Sequence, residues 1–303
     1  MVDATLPQEI QVLTLISQEK PDPRGFAQNL VSNWGAVQTI GRGEIDQATL
    51  LAAIKGLVNP NAGEKTDLRW FYRKGWKLTK AEPQVQVLTQ ETYPDLALDG
   101  SHVKKHASGI VVPKDADGLI VVPKPSSIAA KLGITADWGV EGYGQLLEGS
   151  LLDRLGKRRK FYNYRAGQLT PDRVRMRQST IDAFRRLEAA QPEGDFLVFA
   201  AQTGLKWGGY SPRNARWEME HKSENEFPLP AWVVGHILLT NPSRLDRNEV
   251  LWIDCPGDEY RFGGGAGFEG CLCFDFSDGR LELDDRWLSD ARGSCGSASG
   301  FLG

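Results

Sequence analysis

The chain has 303 residues, 41% of them apolar and 25% charged, with a formal net charge of −3. That balance excludes a disordered or collagen-like polypeptide and leaves room for one large domain or two ordinary ones. No apolar run approaches the ~20 residues that a bilayer crossing needs.

The first residues, Met1 to Glu9, carry an early acid and no apolar block. A cytoplasmic setting is therefore expected, with no membrane partner, and Cys255, Cys271, Cys273 and Cys295 are expected as thiols rather than disulfides. The charge is unevenly spread. Residues 151–188 hold 11 Lys/Arg against 4 Asp/Glu, and residues 249–303 hold 4 Arg against 11 Asp/Glu. Such a chain presents a basic face and an acidic one, unless the two meet and cancel.

In chain order, residues 1–64 read as a helical unit. Leu50, Leu51, Ile54 and Val58 fall at helical spacing, and the segment from Asn59 to Gly63 is a stop. Residues 66–80 interleave rings and cations: Arg69, Trp70, Phe71, Tyr72, Arg73, Lys74, Trp76, Lys77 and Lys80. Rings stack on bases and cations meet phosphates, so this pattern suits nucleic acid. It equally suits a half-exposed strand or a hairpin about Lys74 and Gly75, with lysines on the wet face.

Two β-branched runs, 109–114 and 118–124, flank the turn chemistry of Asp115 to Gly118. A central β-hairpin is expected there, with Pro113 and Pro123 at strand ends. Leu146, Leu147, Leu151, Leu152 and Leu155 predict a helix over 141–155. Thr170, Pro171 and Asp172 form a helix start, predicting a second helix to about Ala190 with Val174, Ile181, Phe184 and Leu187 inward. Phe196–Ala201 and Val250–Ile253 read as buried strands around an apolar helix, Pro230–Thr240, in a βαβ-like core. The long connection 202–228 is expected as a loop. The tail beyond residue 261 is expected to be β-rich. A hairpin should turn at Ser277, Asp278 and Gly279, and the last residues, 293–303, should be extended.

The expected fold class is α+β (mixed α/β). It comprises a helical unit over 1–64 and a main domain over 65–303, with a sub-boundary near 191–194.

Three constellations bear on function. The first is Lys157, Arg158, Arg159, Lys160, Tyr162, Tyr164, Arg165, Arg173 and Arg177, a basic and aromatic surface that could hold a phosphate backbone. Its bland counterpart is a solvated face paired with the acidic tail. The second is Asp254, Asp258 and Glu259 after a buried strand, with His236 as a partner base. This is the site of a metal-assisted hydrolase, or simply a turn whose acids bond their own backbone. The third is the set of four cysteines, which lack the Cys-x-x-Cys pairs of a zinc site; the Cys271-Leu-Cys273 spacing is expected to part its two thiols. No phosphate loop or nucleophile elbow is present, and no cofactor is specified. The leading expectation is a non-enzymatic nucleic-acid-binding protein. The alternatives are the hydrolase and an assembly subunit that binds another protein.

Overall fold

The computed structural model describes residues 59–302 apart from 224 and 266. The expected N-terminal helices lie outside the described residues. From Asn61 onward the chain forms one compact unit. Its main core cluster holds residues on both sides of 191–194, which is a turn within that unit.

The unit is α+β. Among the described residues nine strands make one mixed sheet: β1 (Gly118–Pro123), β2 (Phe161–Asn163), β3 (Val174–Met176), β4 (Phe196–Gly208), β5 (Glu226–Pro228), β6 (Trp252–Tyr260), β7 (Gly270–Ser277), β8 (Arg280–Trp287) and β9 (Cys295–Phe301). Their order is β1-β4-β9-β6-β7-β8-β2, with β3 on β6 and β5 on β9. The pairs β6–β9 and β2–β8 are parallel and the rest antiparallel.

The helices are α1 (Ala81–Gln86), α2 (Val103–Gly109), α3 (Pro125–Leu132), α4 (Tyr143–Leu146), α5 (Asp153–Arg158), α6 (Gln178–Ala190), α7 (Pro212–Lys222) and α8 (Ala231–Thr240). Two π-helical stretches, Val87–Thr92 and Leu147–Leu152, follow α1 and link α4 to α5. The strongest sequence signal becomes α8, an apolar run with all ten residues buried. It packs over β6 and β7, where Ile253 and Phe274 are partners and Phe274 faces Leu283. Strand alternation sends the neighbours of these residues to the other face. That face is polar: Asp254 is level with Cys273 and Ser297, Cys271 with Arg286, and Asp275 with Glu282.

Several expectations need correction. The 109–124 hairpin does not form. Gly118–Pro123 pairs with Phe196–Ala201, while residues 110–113 make no strand and Val111 is 89% exposed. Ile120, Val121 and Val122 are fully buried, and a two-stranded ribbon cannot cover such a run on both faces.

The βαβ-like core is also different. β9 runs between β4 and β6, antiparallel to the first and parallel to the second, so the two expected strands are neither adjacent nor parallel. The expected loop 202–228 holds the rest of β4, then α7 and β5. Ser211 caps α7 by accepting from the Asn214 amide at 3.2 Å, with Pro212 in the first turn.

The basic helix begins at Gln178, not Thr170. Val174 and Met176 alternate inward as β3 against Tyr260 and Asp258, so strand periodicity overrides the capping signal. The Thr170 hydroxyl instead donates to Asp172 at 2.6 Å in a tight turn. The tail hairpin forms as expected: β7 and β8 meet across Asp278 (φ 50°) and Gly279 (φ 71°), the paired positive φ of a two-residue turn. Among the described residues no helix is long and apolar enough to cross a membrane.

Candidate nucleic-acid interface

The cations of 157–177 are in large part engaged within the fold. Lys157 bonds Asp153 at 2.6 Å, and Arg158 pairs with Glu91. Arg159 donates to the Leu245 and Pro242 carbonyls. Arg165 holds Asp284 at 2.9 Å through Nε and also meets Asp285. Arg173 donates to Gln168 at 3.1 Å. Arg177 grips Glu220 through two bonds of 2.6 and 2.9 Å and reaches Glu259 at 3.3 Å. Three of these acids belong to the acidic tail, so the basic and acidic segments meet and cancel. Lys160 has no ion-pair partner among the described residues, and Tyr162 and Tyr164 stay 45% and 43% exposed. Those three residues make no continuous cationic surface.

The carboxylates of the alternative site do not converge either. Asp254 to Glu259 lie inside β6, not in a turn after it, because the strand continues through an irregular register to Tyr260. Asp254 is fully buried and accepts two bonds from Arg286 at 2.8 and 2.9 Å. Asp258 is also fully buried. It accepts from the Tyr143 hydroxyl at 2.5 Å and from the Ala231 amide at 2.9 Å, at the start of α8. Burial raises its pKa to about 7, against the pull of those bonds and of Arg216. Glu259 accepts from Arg175 at 2.7 Å.

His236 lies in the core of α8, stacked near Tyr93. Its Nδ1 is 2.6 Å from the Trp232 carbonyl and its Nε2 is 2.8 Å from the Tyr93 hydroxyl, which in turn accepts from Ser150 at 3.2 Å. Burial lowers its pKa to about 3, so it is a neutral, satisfied core residue. Each of the four candidates has its own partners and none is shared. Among the described residues no group of three His, Cys, Asp or Glu side chains is placed to hold a metal. All four cysteines are buried thiols, and burial pushes those of Cys271 and Cys295 up, the latter to about 12. Cys271 and Cys273, two apart on β7, share a face, so the expectation that they part is wrong.

Among the described residues, a longer run of cations without ion-pair partners lies on residues 69–80. This segment has no regular secondary structure, yet its burial alternates. Trp70, Tyr72, Trp76 and Leu78 turn inward; Arg69, Phe71, Arg73, Lys74, Lys77 and Lys80 are exposed. The chain reverses at Lys74 and Gly75 (φ 77°), where the Trp76 amide donates to the Arg73 carbonyl at 2.9 Å. A turn at the expected place therefore joins two non-strand arms.

The inner side is firmly held. The Tyr72 hydroxyl donates to Asp117 at 2.7 Å, and the Arg244 guanidinium lies 4.3 Å over the Tyr72 ring. Arg244 is itself fully buried and donates to Thr203 and to the Leu251 carbonyl at 2.8 Å. Trp76 donates to Ser243 at 3.2 Å, and Trp70 meets Trp252 edge-on at 5.5 Å.

On the outer side, Arg69, Arg73, Lys74 and Lys80 have no ion-pair partner among the described residues, and Lys77 donates only to the Ala116 carbonyl, at 2.7 Å. Phe71 is 54% exposed between two of these cations. Lys80 and Lys104, the latter on α2 and also without an ion pair among the described residues, border a cleft of about 380 Å³ that Glu82 also lines. No acidic side chain occurs between Leu68 and Lys80.

No protein-family model, curated protein or solved structure matches this chain.

Proposed function

We propose that the chain binds single-stranded nucleic acid through the outer side of Arg69–Lys80, extended by Lys104. The observation that carries this reading is the unpaired row Arg69, Arg73, Lys74 and Lys80 around exposed Phe71, on a backbone whose inner aromatics are fixed. Cations without internal carboxylates can exchange counterions for phosphates, and an exposed ring offers a stacking platform. Anchoring the inner side in advance lowers the ordering cost of binding. The surface expected over 157–177 supports this less well, because a phosphate there would have to displace Glu91, Glu220, Asp284 or Asp285.

The test is fluorescence anisotropy of labelled oligo-dT and oligo-U at 50 mM salt. Arg73→Glu with Lys74→Glu should weaken binding by tenfold or more. Lys157→Glu with Arg158→Glu should leave it within about twofold, since those cations are already neutralised. Absence of binding by the unaltered chain, or equal loss from both double variants, would refute the assignment.

A further inference from the structure

A second candidate site lies on the other side of α2. Beyond Gly109 the chain does not enter the sheet; it passes over one flank of α6 and leaves a cavity of about 770 Å³ beneath it. That is the size of a site for a small organic ligand. Its walls are largely apolar, formed by Ile110, Val111, Pro113, Leu187, Phe199 and Phe301. Its basic side chains are Arg186, Lys105 and His106, and no carboxylate lines it among the described residues.

The three basic groups are not equivalent. Lys105 and His106 share Glu193 outside the cavity, at 3.3 and 3.1 Å. Arg186 has no ion-pair partner among the described residues, although its neighbour Arg185 lies 3.7 Å from both Asp137 and Asp182. The mouth is also unusual. Val111, which lines it, is 89% exposed, an apolar side chain left outside any strand. Apolar walls, an exposed apolar side chain at the mouth and a cation without an ion pair among the described residues are complementary to one kind of molecule.

We propose that this cavity binds a free organic anion with a carboxylate head and an unbranched apolar body. The head meets Arg186, whose planar fork matches a carboxylate. The body lies against Ile110, Val111 and Phe301. A cationic amphiphile of the same length is rejected by the Arg186 guanidinium. This site is separate from the Arg69–Lys80 surface and neither depends on the other.

The probes are sodium decanoate and decyltrimethylammonium, each below its micellar concentration, titrated calorimetrically into the full chain. Decanoate should bind at one site and the cation should not. Arg186 is exposed and unpaired, so Arg186→Glu should fold normally while weakening decanoate at least tenfold. Val111→Asp should weaken it as well. Failure of decanoate to bind, equal binding of the cation, or unchanged affinity in folded Arg186→Glu would each overturn the proposal.

Discussion

Asp275 on β7 and Glu282 on β8 stand directly opposite each other, both buried, and Oδ1 of Asp275 has no hydrogen-bond partner among the described residues. Burial beside a second acid disfavours the ionised form of Asp275. Burial, then the charges of Glu282 and Asp284, raise the Asp275 pKa to about 7. In the unfolded chain that proton leaves near pH 4. The folded state therefore binds the extra proton between about pH 4 and 7, and stability falls as pH rises through this window, by up to about 4 kcal/mol. Buried Asp258 acts in the same direction. His236 opposes them: kept neutral in the fold, it adds stability as pH rises toward 6.5. Asp275→Asn isolates this residue. The variant should match the parent in urea midpoint near pH 4.5 and exceed it near pH 8; equal midpoints at both values would show that Asp275 holds no extra proton in the fold.

Asp254 and Arg286 set up a different prediction on the same polar face. Arg286 is held charged because Asp254 lies against it at 2.8 Å, and both side chains are almost wholly removed from water. Arg286→Met leaves a buried carboxylate without its partner and should cost about 3–5 kcal/mol. Adding Asp254→Asn removes the orphaned charge and should recover part of that loss. Equilibrium urea unfolding of the two variants measures both steps. A double variant no more stable than Arg286→Met would mean that the charge is not what destabilises the single change.

The final strand predicts its own sensitivity. A Cβ on Gly296 would fall 2.1 Å from the carbonyl oxygen of Gly204, a contact that only backbone movement can relieve. Gly204 itself has φ 115° at the irregularity where β4 bends past β9. Gly296→Ala should therefore destabilise by about 3 kcal/mol or more. Gly149, with nothing near its Cβ position, should accept alanine with little effect. Thermal unfolding of the two variants should separate them clearly.

These glycines also explain what could be read in advance. The helix α8 was legible because ten consecutive residues are apolar enough to be buried on every side. The β7–β8 hairpin was legible because Asp278 and Gly279 supply positive φ for a two-residue turn. Strand β9 reads Cys-Gly-Ser-Ala-Ser-Gly-Phe, with almost no apolar alternation. Its small residues let it slip between β4 and β6, a non-local fit that no window of sequence displays. The basic segment misled for a related reason. Charge sums locate cations but not their partners, and Arg158 finds Glu91 across 67 positions. In residues 69–80 the inward rings were visible as a pattern, but only the fold shows that Arg69, Arg73, Lys74 and Lys80 have no ion-pair partner among the described residues.

That unpaired state has a quantitative consequence for the proposed interface. If Arg69, Arg73, Lys74 and Lys80 each meet a phosphate, about three counterions are released, and log K should fall with log salt at a slope of roughly −3 for a single strand. Arg73→Glu with Lys74→Glu removes two of these contacts, so the slope should become shallower by about 1.4. Phe71→Ala removes a stacking face and no charge. It should weaken binding by about 1–3 kcal/mol with the slope unchanged. Anisotropy titrations over a range of salt concentrations yield both quantities at once. A slope unaffected by the double charge reversal would place the phosphate contacts elsewhere on the molecule. A changed slope in Phe71→Ala would mean that the ring positions cations rather than stacking on bases.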